Sequence, residues 1–101
     1  MNRINSGEPV GTLVSMGEQL VGTVTHYFGQ PHVAIVEVSD GVLRVGDTIR
    51  IAGAHSDFTQ PIRSMELEHA SVDTAQAGDT VGIQVSERAR EHDRVYLLTD
   101  D

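Results

Sequence analysis

The chain has 101 residues and a net charge of −8, with a pI near 4.9, and it contains neither cysteine nor lysine. That length suits one domain with a single modest core, and the acidity opposes non-specific attraction to nucleic acid or an anionic membrane. The two missing residue types exclude disulfides, thiol catalysis, cysteine–zinc sites, lysine Schiff bases and the Walker phosphate loop, so GTP binding by this chain alone is not expected and no cofactor is anticipated.

Valine is the commonest apolar residue, with 13 copies against 6 Leu and 6 Ile, and branching at Cβ favours extended backbone. Ten glycines, several beside Asp, supply turns. No stretch approaches the ~18 consecutive apolar residues of a membrane span. The first residues lack the apolar core of a secretory leader, and a small domain without disulfides fits a reducing compartment, so a cytoplasmic setting is expected. The lysine-free, Asp-rich balance fits GC-rich coding as well as a saline cytosol.

In chain order, residues 1–18 read as a partly flexible, Gly- and polar-rich segment, and residues 19–101 as one barrel domain. Val10-Gly11-Thr12 recurs as Val21-Gly22-Thr23, too short a match for a repeat; residues 10–14 suit a short edge strand. Residues 20–28 alternate Leu20, Gly22, Val24, His26 and Phe28 against Val21, Thr23, Thr25 and Tyr27, which predicts a strand; one of His26, Tyr27 and Phe28 must face the core. Residues 33–39 are an almost unbroken β-branched run, expected to be central or covered on both faces. Turns are predicted at Asp40-Gly41 and Gly46-Asp47, followed by a strand over 48–53 with Ile49 and Ile51 on one face.

Between Asp57 and Leu67 the apolar phase slips. Phe58, Gln60 and Ile62 step by two, but Met65 and Leu67 are out of phase with them. A bulge at or beside Pro61, which has no N–H to give to a ladder, accounts for the slip and for the bend a small barrel needs. Two strands broken at residue 63 give the same pattern. Gly78-Asp79 then leads into a strand over 80–85, residues 86–93 suit one helical turn, and residues 94–98 form the closing strand. The fold class expected is all-β: a small closed antiparallel barrel of six or so strands.

The chemistry-bearing residues are scattered. His26, His32, His55, His69 and His92 fall in five segments without metal-ligand spacing, so no metal site is expected. No G-x-S-x-G elbow occurs. Glu66 and Glu68, two apart on a predicted strand, share a face, which more often means a solvated surface than an acid–base pair. Arg44, Arg50 and Arg63 are candidates for one face able to fork onto phosphate, against the simpler reading of arginines paired with the abundant acids. No catalytic residue is assigned.

Leu43, Gly46 and Asp47, then Ser64-Met65-Glu66, His69, and Ala75, Gly78, Asp79, Val81 and Gly82 stand in an order and spacing that resembles the second-domain β-barrel of translational GTPases such as elongation factor Tu. The likeness spans residues 20–98 and looks closest to stand-alone elongation-factor-like proteins; similar barrels occur at the C-terminus of some peptidases. The resemblance implies a position for Glu66 like that of the glutamate that helps hold the terminal adenosine of aminoacyl-tRNA. Where that family favours Gly-Arg before Val-Glu, this sequence has Ala34-Ile35. The resulting expectation is a non-catalytic module docking to RNA (tRNA or ribosome) or to a protein partner of the translation machinery, through Glu66, Arg50, Arg63 and His69. The alternatives are an accessory barrel of a peptidase or an RNA-modifying enzyme, or a structural, self-associating barrel with an exposed edge near Pro61 or residues 10–14.

Overall fold

A computed structural model describes residues 16–100. Among them are ten strands and no helix: β1 Met16–Phe28, β2 Val33–Val38, β3 Val42–Arg44, β4 Thr48–Ala52, β5 Asp57–Pro61, β6 Met65–Leu67, β7 Ala70–Val72, β8 Thr74–Gln76, β9 Thr80–Gln84 and β10 Arg94–Asp100. Eight form one antiparallel sheet in the order β5-β4-β10-β1-β2-β9-β6-β7, and β3 pairs with β8 as a separate ribbon. Residues 1–15, including the suggested edge at 10–14, lie outside the described part; β1 already runs from Met16.

Strand alternation sets the core. Ile49 and Ile51 of β4, Ala34, Val36 and Val38 of β2, Val81 and Ile83 of β9 and Val95 of β10 point inward and are fully buried. Each such Val or Ile contributes about 1.5–3 kcal/mol relative to exposure, so register is strongly specified. β2 is central, as expected, between β1 and β9. It is fully covered on one face only: Val33 and Ile35 are half-buried on the outside and Glu37 is exposed.

The phase slip is a strand break, not a bulge at Pro61. β5 ends at Pro61 and β6 begins at Met65. Phe58, Gln60 and Ile62 face inward in step, the chain turns through 63–64, and Met65 re-enters the core. The bulges lie instead in β1. Its register shifts against β10 between Gly22 and Leu20, and against β2 between Val24 and His26. Val21 and Thr25 are the extra residues. Val21 and Val24 are therefore both buried although they are three apart, and Leu20 and Phe28, which strict alternation groups with Val24, are 45% and 46% exposed. Tyr27 is the member of the His-Tyr-Phe cluster that packs on the core.

The sheet curls into a barrel whose seam is sealed by a side chain. Gln60 on β5 is only 5% exposed. Its amide donates to the Gln84 carbonyl at 2.9 Å, and its carbonyl accepts from the Ser86 backbone N–H at 2.6 Å and the Ser86 hydroxyl at 3.0 Å. The primary amide thus stands in for a peptide group between β5 and the end of β9, beside Pro61, which has no N–H. On its other side β5 stays tied to β4: Ile62 extends that ladder by one residue, donating to the Asp47 carbonyl at 2.8 Å and accepting from the Gly46 N–H at 2.9 Å.

Three corners repeat one device. At Arg44–Asp47, Gln76–Asp79 and Arg90–Asp93 the last residue's N–H donates to the first residue's carbonyl, and its carboxylate Oδ2 accepts from the first residue's N–H. The third residue has positive φ each time: Gly46 101°, Gly78 99° and His92 75°. This is the geometry of a turn that favours glycine at its third position. The third copy replaces the helical turn expected within 86–93: His92 occupies the glycine position, and Asp93, 3% exposed, occupies the aspartate position.

Candidate functional site: a groove on the outer wall

The outer faces of β1, β2, β9, β6 and β7 carry one cross-strand row: His26 opposite Ile35, Ile35 opposite Gly82, Gly82 opposite Glu66, and Glu66 opposite Ser71. Gly82 puts no side chain into that row. A Cβ there would meet Val33 Cγ1 at 3.2 Å and Ile35 Cδ1 at 3.6 Å, so the neighbouring aliphatic groups lean over the space it leaves. The result is a groove of about 360 Å³ floored by Val33, Ile35 and Gly82. Phe28 and Pro31 wall one side, and Glu66, Glu68 and His69 rim the other. A second lobe of about 210 Å³ adjoins it and shares Pro31, Val33, Glu66 and Gly82. Glu66 therefore stands between the two lobes.

The rim is held by a two-residue hairpin loop. Leu67 pairs with Ala70, leaving Glu68 and His69 as the turn, with φ of 50° and 68°. Two consecutive positive φ values define the tight hairpin turn that usually takes Asn-Gly. Glu68 thus sits beyond the end of β6 rather than on its face, yet it reaches the same groove as Glu66. Opposite, the Phe28 ring packs edge-on to His26 with centroids 4.5 Å apart, and His26 Nδ1 lies 3.5 Å from Glu91 Oε2.

Of the four residues singled out from sequence, Glu66 and His69 line the groove and Arg50 and Arg63 do not. Arg50 lies on β4, three strands from β2 in the sheet order. Its guanidinium forks onto Asp57, with Nε to Oδ1 at 2.8 Å and Nη2 to Oδ2 at 3.0 Å, and Nη1 donates to Glu18 Oε2 at 3.0 Å. Hydrogen bonding from Arg50 holds the Asp57 carboxyl below its usual range, and hydrogen bonding to Asp57 and Glu18 raises the Arg50 pKa. This is the simple pairing with acids, not a free phosphate fork. Arg63 is exposed in the connection between β5 and β6. Sequence reasoning missed Phe28, Pro31, Val33 and Ile35 as site residues. Val33 and Ile35 read as core, and Ile35, standing where the resembled family favours Arg, instead makes the groove floor apolar.

Taken together, these features define a small all-β barrel domain with a groove on its outer wall. The chain belongs to the elongation factor Tu domain 2 family, which matches residues 32–96. Its curated relatives include an uncharacterized protease of Methanocaldococcus jannaschii, 35% identical over 81 residues, or 79% of this chain and 20% of that protein. They also include a collagenase of Porphyromonas gingivalis, 32% identical over 77 residues, or 75% of this chain and 21% of that protein. The chain thus spans about a fifth of the length of these relatives. Among solved structures, the C-terminal domain of a Geobacillus thermoleovorans protein assigned to the U32 peptidases superposes with a TM-score of 0.72 at 22% identity, covering 78% of this chain and 91% of that domain. A selenomethionine form of the same domain gives the same score over 76% and 96%.

These relatives overturn the expectation of docking to the translation machinery. The barrel is shared with translation factors, but the relatives are named as proteases, and a shared fold does not carry a function with it. The relatives favour the alternative reading, an accessory barrel of a peptidase.

Proposed function

We propose that this chain is the accessory β-barrel of a U32-type peptidase. It is a non-catalytic binding domain that presents the groove over Gly82 and leaves hydrolysis to a catalytic domain outside the barrel, in the same or a separate polypeptide. The observation that carries this reading is the agreement of the comparisons: relatives named as a protease and a collagenase align across three-quarters or more of this chain, and the solved C-terminal domain of a U32 protein shares its fold. The character of the barrel supports it. The groove is apolar-floored and open, suited to holding a ligand. The partner this reading calls for is a protein, the catalytic domain itself.

The test is association. The chain is titrated by calorimetry with the catalytic portion of a U32 peptidase from the same genome, freed of any barrel of its own. A one-to-one complex of micromolar or tighter affinity is expected, with no peptide hydrolysis by the barrel alone. Absence of heat and of co-elution on gel filtration contradicts the reading, as does hydrolysis by the isolated barrel.

A further inference from the structure

We propose that the groove over Gly82 receives a basic side chain, Arg or Lys, of a peptide, with Glu66 and Glu68 pairing with its charged head and Val33, Ile35 and Phe28 covering its methylene stem. The assignment deepens the peptidase reading, on which the choice of a peptide rests, and its physical ground is the match of shape and charge.

The lining holds two carboxylates and one imidazole but neither arginine nor lysine. Neither Glu66 nor Glu68 has a cation within ion-pair distance among the described residues, whereas Glu18 and Asp57 both pair with Arg50. Two uncompensated carboxylates on the rim of an apolar trough set a negative potential that the low-dielectric walls focus. The floor is aliphatic, so a bare inorganic cation finds no ligands there, while a long side chain with a charged tip satisfies stem and head together. Phe28, 46% exposed, adds apolar surface to the groove wall along which the methylene stem can lie. The volume of about 360 Å³ lies at the small end of ligand sites, matched to one or two residues of a peptide rather than a folded partner. The same acidic rim repels the phosphates of a nucleic acid, which the chain's net charge of −8 reinforces.

The experiment is an amide-resolved NMR titration of the 101-residue chain with the capped tetrapeptide Ala-Leu-Arg-Ala. The same peptide with Gln in place of Arg, and a single-stranded RNA trinucleotide, serve as comparisons. The Arg peptide is expected to shift the amides of Ile35, Glu66 and Gly82, the Gln peptide to bind more weakly, and Glu66→Gln/Glu68→Gln to lower affinity for the Arg peptide roughly three- to tenfold. Added salt should erode the difference between the two peptides. Equal shifts from Arg and Gln peptides overturn the proposal, and so does silence from both. Shifts at these amides from the trinucleotide alone also overturn it, in favour of a nucleic-acid site. The peptide comparison uses the unaltered chain, so it decides the matter even if the double variant fails to fold. Failure here with intact association to the U32 catalytic portion removes the groove assignment and leaves the peptidase reading standing.

Discussion

Gln60 shows how much a single side chain can decide. A buried amide that leaves its partners unpaired costs about 1–3 kcal/mol, so its three hydrogen bonds across the seam are needed as well as useful. Gln60→Leu keeps the volume and removes the bonds. It is expected to lower stability by about 1–3 kcal/mol, each kcal/mol being worth roughly 4–8 °C in Tm for a domain of this size. An unchanged Tm contradicts the sealing role. The inward phase of Gln60 was legible in the sequence, because Phe58, Gln60 and Ile62 step by two. Its use as a substitute peptide group was not, because the partner strand end is set by closure of the whole sheet and lies 24–26 residues away.

At the scale of the element, the three Asp-closed corners differ in the cost of their third residue. A residue with a Cβ pays about 1–2 kcal/mol in the left-handed region, which Gly avoids. His92→Gly is therefore expected to raise stability by up to about 1 kcal/mol, offset in part by greater freedom of the unfolded chain, whereas Gly46→Ala and Gly78→Ala lower it by about 1–2 kcal/mol. Chemical denaturation of the three variants checks the opposite signs; a destabilised His92→Gly contradicts the account, since the His92 N–H bond to the Val24 carbonyl is a backbone bond and survives. Two of these corners were readable as Gly-Asp pairs. The third was hidden because His stands for Gly, so residues 86–93 looked helical.

The Arg50 fork joins β4 to β5 and β1, and it carries a pH dependence. The Asp57 pKa is depressed in the folded chain by the Arg50 hydrogen bonds, so its stabilising effect is present above the usual carboxyl value of about 4 and is lost as pH falls through the depressed value. Arg50 stays protonated throughout. Asp57→Asn should therefore lower Tm at pH 7 and cease to matter once pH has fallen below the depressed Asp57 value, and high salt should shrink the effect because the pair is exposed. A difference that persists unchanged in acid contradicts the assignment.

For the whole molecule, the β class and the corners at Gly46-Asp47 and Gly78-Asp79 could be read from local pattern and turn chemistry. The groove could not. Val33 and Ile35 carry the same aliphatic signal as core residues, and nothing local says that a glycine on the neighbouring strand, far off in sequence, leaves them half-uncovered. Nor does periodicity reveal the bulges at Val21 and Thr25, which turn Phe28 outward to become a wall. Function was less legible still: the barrel pattern is common to translation factors and to proteins named as peptidases, and only the relatives weigh against the first.

The most direct test of the central claim, that this barrel works as the accessory domain of a U32-type peptidase, is a graft. In the Porphyromonas gingivalis collagenase the segment matched by this chain is deleted or replaced by residues 16–100, and kcat/KM is measured on one peptide substrate. The account predicts that deletion lowers kcat/KM and that the grafted barrel restores a substantial part of it. A folded chimaera no more active than the deletion would contradict it.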